Sequence, residues 1–288
     1  MRGDLYALVS GGSPIDVKNA MRDISSRLQL ALQIAAEAGS STLDFFQRDN
    51  LDVERKDDDS PVTQADRGAE QLMREQISKS FPTDGVIGEE FGEEQGTSAY
   101  RWVLDPIDGT KSFICGVPLY SVLIGILQDQ RSVAGVILIP ALGESVYAEE
   151  GAGTWWQRGT EPAKRATVAN RPLSDGVFLF SQGDSFSERG APEAYSELER
   201  AAYITRSWGD GYGYLLVATG RTDVIVDPIM NLWDAAPMLP VLQEAGGSFT
   251  DWQGLPTVLH GEGVGCSQRV REEVLAVTRR FPKLEGAR

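Results

Sequence analysis

The residues in this chain whose types and spacing suggest chemistry are Asp105 and Asp108, in the stretch "WVLDPIDGTKSF". An apolar run ends in one acid, proline follows, and a second acid comes three places after the first. Proline fixes φ near −65° and stiffens a turn, so the two carboxylates can converge on one point. Left alone they would repel each other and resist desolvation. A hard divalent cation resolves that conflict, because Mg²⁺ and Ca²⁺ prefer oxygen ligands, and Mg²⁺ favours few carboxylates with water and phosphate. The Ile107 carbonyl lies in the same turn as a further oxygen. Gly109-Thr110 can open a helix, whose first N–H groups bind anions. The plainer reading is an acidic turn with a helix cap. A nucleophilic-aspartate site of the haloacid-dehalogenase type places its second acid two positions on, so the spacing of three counts against it.

Two further acidic clusters bear on the choice. "VIGEE" puts Glu89 and Glu90 at the end of an apolar run, and "NLWDAAPMLPVLQEAGG" puts Asp234 at the start of an apolar helix, where an acid also serves as an ordinary N-terminal cap. Three such clusters, each at an element terminus, favour a shared site over three unrelated caps. His260 is the single histidine. That excludes mechanisms needing paired histidines or a His-rich zinc site, and leaves carboxylates, hydroxyls, lysine and metal to carry any catalysis.

The elements that must position these groups follow from the apolar periodicity. Asp23 to Phe46 repeats at helical spacing, and Thr63 with Asp66 three later is a capping signal for a second helix running to about Ser80. "GVIGEE" and "RWVLD" read as strands ending in acids. "LYSVLIGIL", "SVAGVILI", "ESVYAEE" and "GTWWQ" form a meander. Beyond about Gly159 strands and helices alternate: "GVFLFS" (strand), "APEAYSELERAA" (helix), "DGYGYLLVATG" (helix), "TDVIVD" (strand), "LWDAAPMLPVLQEAG" (a single helix despite two prolines), "GSFTD" and "GVGC" (strands) and a closing helix in "QRVREEVLAVTRRF". Residues 1–20 read as a loose extension, 21–159 as an α+β subdomain holding the metal-binding turn, and 160–288 as an α/β subdomain that completes the site.

Bulk composition agrees with a globular chain: 288 residues, 41% hydrophobic and 24% charged. A net charge of −15 argues against sequence-independent nucleic-acid binding. No apolar run approaches the ~20 residues of a membrane span, and the N-terminus lacks a signal peptide's apolar centre. With two cysteines, Cys115 and Cys266, free thiols and a cytoplasmic setting are expected. Trp208 and Trp233 flank the expected site mouth, where one could wall a pocket.

Taken together, "VIGEE", "WVLDPIDGTKSF" and "LWDAAPMLPVLQEAGG" resemble the signature of the inositol-monophosphatase superfamily. The resemblance covers nearly the whole chain from about Met21. "DGTKSF" and "GVPLY" are most similar to the histidinol-phosphate phosphatases of this fold. At the end, "GVGCSQRVREEVL" departs from the pattern, where an Asn-Gly step is expected.

That resemblance implies a layered αβαβα sandwich and a Mg²⁺-dependent phosphate monoester hydrolase acting on histidinol phosphate, with inositol or another sugar or nucleotide phosphate as the alternative. A non-catalytic metal- or phosphate-binding regulatory protein is a more distant one. It implies one Mg²⁺ on Glu89, Asp105 and the Ile107 carbonyl. A second sits on Asp105, Asp108 and Asp234, and Glu89 touches a weaker third through water. Two metals about 3.5–4 Å apart clamp both attacking and leaving oxygens. Metal-bound water would be the nucleophile, oriented by Thr110, whose hydroxyl pairs with Asp66; no phosphoenzyme forms. Gly109 and Thr110 N–H groups would receive phosphate. Lys56 is a candidate phosphate cation, and Lys111 reads more simply as a surface lysine. Asp227 and Asp210 are the candidates for binding a cationic leaving alcohol, Asp210 also being readable as a helix cap. The expected partner is a small phosphorylated substrate, neither nucleic acid nor membrane, and a homodimer with lithium sensitivity is implied.

Overall fold

The computed structural model describes residues 25–48, 53–55 and 61–283. The expected extension, residues 1–20, and Lys56 lie outside them. The first helix, α1 (Ser26–Leu43), starts at Ser25, whose hydroxyl accepts from the Leu28 N–H at 3.3 Å. A short hairpin, β1 (Val53–Arg55) and β2 (Pro61–Thr63), leads into α2 (Gln64–Ser80). There Thr63 and Asp66 form the reciprocal cap expected from their spacing: Asp66 Oδ2 accepts from the Thr63 N–H at 2.8 Å and its hydroxyl at 2.6 Å.

Eight strands make the first sheet. They are β3 (Gly85–Gly88), β4 (Gly92–Glu94), β5 (Tyr100–Asp108), β6 (Ser121–Gln128), β7 (Arg131–Ile139), β8 (Glu144–Glu149), β9 (Gly153–Arg158) and β10 (Lys164–Arg165), in the order β10-β9-β8-β7-β6-β5-β3-β4. The expected meander is β6 to β9; β5 extends it by pairing antiparallel with β6, and β3 runs parallel beside β5. The second sheet has five strands: β11 (Val177–Leu179), β12 (Ile204–Arg206), β13 (Val224–Asp227), β14 (Gly247–Thr250) and β15 (Gly263–Ser267), in the order β12-β11-β13-β15-β14. The chain thus passes from one sheet to the other between Arg165 and Val177. The departure at "GVGC" leaves β15 intact.

Side-chain alternation along the strands builds the layers. On β6, Val122 and Ile124 meet Leu28, Ala31, Ala69 and Met73 of α1 and α2, while Leu123 faces the other way. There it joins Leu215 of α6 (Asp210–Ala218), Val241 and Leu242 of α8 (Met238–Glu244), and Ile225 of β13. Val224 and Val226 of β13 point outward against Leu198 of α5 (Pro192–Ala201) and Val274 of α9 (Arg271–Thr278). Two helices, sheet, two helices, sheet, two helices: this is the layered αβαβα sandwich. The short helices α3 (Thr110–Ile114), α4 (Ser185–Glu188) and α7 (Leu232–Ala235) sit in the connections.

Besides short strands the sequence reading did not include, such as β4 and β12, two differences bear on the site. The single helix expected from Leu232 is two, α7 and α8, parted at Ala236-Pro237. Pro237 has no N–H to continue α7, whereas Pro240 falls in the first turn of α8, where no N–H is required. Ser132 on β7 takes up the Ala236 carbonyl at the break, its hydroxyl donating at 2.5 Å. The expected turn after Asp105 is a bulge within a longer strand. β5 continues to Asp108, but Asp105 pairs with Leu123 and Asp108 with Ser121, so β5 spends one residue more than β6 across that interval.

Candidate active site

The bulge is what lets two acids three apart serve one site. On a regular strand they would face opposite sides of the sheet; the extra residue at Pro106-Ile107 returns Asp108 to the side of Asp105. The Asp105 Oδ1 accepts the Ile107 N–H at 3.0 Å, and the Ile107 side chain anchors the bulge in a cluster with Ala65, Phe113 and Tyr120. β3 runs alongside, Gly88 opposite Leu104, so the next residue, Glu89, arrives beside Asp105; its N–H donates to the Leu104 carbonyl at 3.2 Å. Asp234 enters from α7. It does cap that helix, accepting the Asn231 N–H at 2.7 Å, and still joins the cluster. The side chain that caps α7 is thus the same one that reaches the cluster.

Asp105, Asp108 and Asp234 each present a carboxylate oxygen within 4.8 Å of the others. Burial drives all three towards protonation. Asp105 is held well above the usual carboxylate range by burial and by the charges of Glu89, Asp108 and Asp234. Asp108 is pushed up to about 7 by burial and by Asp234, against the hydrogen bonds of Ser121 and Gly211. Asp234 is pushed up to about 7 by burial, then by Glu89, Asp210 and Asp227, against its bond from Asn231. Two buried acids and a half-buried third, with further acids around them, are an oxygen-donor set short of positive charge, which fits a hard divalent cation.

A pocket of about 100 Å³ opens beside the cluster, lined by Asp108, Asp210, Asp227 and Asp234 with Ser181, Tyr214, Ile229, Met230 and Met238. Its apolar wall comes from Ile229 and the two methionines; neither Trp208 nor Trp233 lines it. Asp227 is held at both oxygens, Oδ1 accepting the Ser181 N–H and Oδ2 the Tyr214 hydroxyl, each at 2.9 Å. Asp210 opens α6 at φ +54°, with its N–H on Ser181 Oγ at 2.8 Å; the cap position falls on Gly209, so Asp210 is the first residue of the helix and not its cap. Its carboxylate lies over Gly109: a Cβ there would come within 2.8 Å of Asp210 Oδ2, and Gly109 itself holds φ +79°. Only glycine suits both demands. Burial and the charges of Asp108 and Asp227 raise the Asp210 pKa.

Thr110 and Asp66 do not make the expected pair here. The Thr110 hydroxyl donates to the Ile107 carbonyl at 3.0 Å, and Asp66 is occupied by Thr63. The local cap three residues away wins over a bond between separate segments. Lys111 is exposed and donates to Gln182 at 2.6 Å, as a surface lysine would. Cys115 is exposed and Cys266 buried, both free. His260 meets Asp251 at 2.8 Å, away from the cluster. Sequence reasoning missed Ser121, Ser181, Gly211 and Tyr214. They act through single hydroxyl or N–H groups, Ser181 through one of each, and only the run of small residues at "GDGYG" hints at close packing.

A layered α/β sandwich with buried clustered carboxylates on a strand bulge, beside an acid-lined pocket, defines a metal-dependent phosphomonoesterase. The sequence pattern of the inositol monophosphatase family matches residues 23–282, and the chain belongs to that family. It is 44% identical over 237 residues to a histidinol-phosphatase of Chlorobaculum parvum (82% of this chain, 90% of that protein) and 37% identical over 260 residues to a histidinol-phosphatase of Streptomyces coelicolor (88% and 97%). Among solved structures it resembles the Thermotoga maritima IMPase, with TM-score 0.80 and 28% identity, covering 89% of this chain and 98% of that one. Among the described residues, no helix is long and apolar enough to cross a membrane.

Proposed function

We propose that this phosphatase hydrolyses L-histidinol phosphate to L-histidinol and phosphate with Mg²⁺ as its metal. The observation that carries the reading is the juxtaposition of the carboxylate cluster with a pocket holding Asp210 and Asp227. A phosphate ester of a cationic amino alcohol needs cations at one end and acids at the other. Glu89, Asp105 and the Ile107 carbonyl would hold one Mg²⁺, and Asp105, Asp108 and Asp234 a second, with Glu89 reaching a weaker third through water. Bound there, Mg²⁺ supplies charge neutralisation at the phosphate and an acidified water as nucleophile.

The chain's own groups do the positioning. The Gly109 and Thr110 N–H groups, at the start of α3, receive phosphate oxygens. For Thr110 to orient the attacking water against Asp66, its hydroxyl would have to turn from the Ile107 carbonyl, whose second lone pair could serve a metal in either position. Asp227 and Asp210 take the substrate ammonium, and Ile229, Met230 and Met238 exclude water from the ring. The P–O bond to the alcohol breaks without a phosphoenzyme, and most of the rate comes from positioning and charge neutralisation. Lys56 remains a candidate for a phosphate oxygen. A homodimer, lithium sensitivity and a cytoplasmic setting complete the reading.

The second reading, an inositol or other sugar phosphate as substrate, is favoured by the likeness to the Thermotoga maritima IMPase. A phosphate-release screen over histidinol phosphate, inositol 1-phosphate, fructose 1,6-bisphosphate and adenosine 3′,5′-bisphosphate, with and without EDTA, decides between them. Histidinol phosphate should lead, and EDTA should abolish release. A preference for inositol 1-phosphate would establish the second reading, and no release from any phosphate would favour a binding protein.

A further inference from the structure

Asp66, Glu70 and Arg74 stand at successive four-residue steps on α2 and so share one face. Glu70 is fully buried, at 0% exposure, although it carries a carboxylate. Its Oε2 accepts the Glu90 N–H at 2.7 Å, and its Oε1 accepts the Phe91 N–H at 3.3 Å and the Arg74 Nε at 2.7 Å. Arg74 Nη2 in turn donates to the Gly92 carbonyl. Helix α2 therefore grips three consecutive residues of the turn that follows Glu89. From the opposite side, the Glu89 N–H is tied to the Leu104 carbonyl, next to Asp105.

The residue before Glu89 is shaped to admit this grip. A Cβ on Gly88 would lie 2.0 Å from Glu70 Oε1. Burying a carboxylate is costly unless it is paired and hydrogen-bonded, and here two amides and a guanidinium compensate it. What the clamp secures is otherwise weak: β4 is a three-residue edge strand exposed along its whole length. A short edge hairpin has little to hold its turn.

We infer that the Glu70–Arg74 pair is a positioning device that fixes Glu89 in the metal site. The inference rests on the reading of Glu89 as a metal ligand, and groups that orient ligands typically change metal affinity or activity 10–100-fold when removed.

The test is Mn²⁺ binding by calorimetry to chelator-treated full-length protein, comparing wild type with Glu70→Gln, Arg74→Met, Arg74→Lys and Glu89→Gln, each also melted thermally without metal. Expected is an affinity about 10–100-fold weaker for Glu70→Gln and Arg74→Met, with a cooperative melt, and recovery in Arg74→Lys, which keeps a donor. A lower melting temperature with unchanged Mn²⁺ affinity marks a merely structural role and overturns the inference, as does wild-type affinity in both clamp variants while Glu89→Gln loses it. Wild-type affinity in Glu89→Gln itself overturns the metal-ligand reading as well. Should Glu70→Gln not fold, Arg74→Met decides alone: unchanged affinity overturns the inference.

Discussion

The Ser121 hydroxyl donates to Asp108 Oδ2 at 2.5 Å, from the position on β6 directly across the ladder from that acid. The Gly211 N–H, in the first turn of α6, donates to the same oxygen at 2.6 Å. One carboxylate oxygen is thus fixed from both sides of the site, by β6 of the first sheet and by the helix layer between the sheets. Asp108 keeps a defined orientation although neighbouring acids repel it.

Ser121→Ala removes one of those two donors and leaves the second. The expected result is a folded protein whose metal half-saturation or kcat/KM is worse by about tenfold or more. Steady-state phosphate release across a Mg²⁺ series measures it. Values within about twofold of wild type would show that Gly211 alone orients Asp108.

Asp227→Asn keeps the shape of the pocket and can still accept the Ser181 N–H at its one oxygen while its amide N–H donates to the Tyr214 oxygen, but it loses the charge. Comparing histidinol phosphate with glycerol 2-phosphate separates charge recognition from general damage. The loss in kcat/KM should be about tenfold or more greater for the cationic substrate, the scale of a charge-assisted contact. An equal loss on both removes Asp227 from specificity.

Asp108 and Asp234 are raised from 3.8 to about 7 in the folded protein. The native state therefore holds protons that the unfolded chain has already released. Without metal, this contribution to stability is fully present below the unfolded pKa and is lost as pH rises through about 7. The lowered pKa of Asp84 acts in the opposite direction, but only as pH falls below the ordinary carboxylate range. Thermal melts in EDTA should give a falling melting temperature between about pH 5.5 and about pH 8, with a shallower slope in Asp234→Asn. A slope unchanged by that substitution would assign the trend to overall charge repulsion.

Much of this site was legible in the sequence because its acids sit at element ends, where propensity and turn chemistry are strongest. The Thr63–Asp66 cap, the β6–β9 meander and the convergence of Asp105, Asp108 and Asp234 all follow from local pattern. The bulge at Pro106 did not, since a proline after an apolar run reads equally as a strand end. The break at Pro237 was hidden by an apolar pattern that runs unbroken through it. Glu70 and Ser121 were invisible for a different reason: each works through backbone amides or one neighbouring oxygen, brought near only by tertiary packing. The Asp66–Thr110 pair shows the converse, a long-range contact expected by resemblance that yields to a local cap.

The central claim is that Glu89, Asp105, Asp108 and Asp234 hold divalent cations at one point. Anomalous diffraction from a crystal of the Mn²⁺-loaded protein tests it most directly. The account predicts anomalous density enclosed by those four carboxylates, with a peak in contact with Asp105. Mn²⁺ bound elsewhere, or absent from the cluster in protein that still hydrolyses phosphate esters, would contradict it.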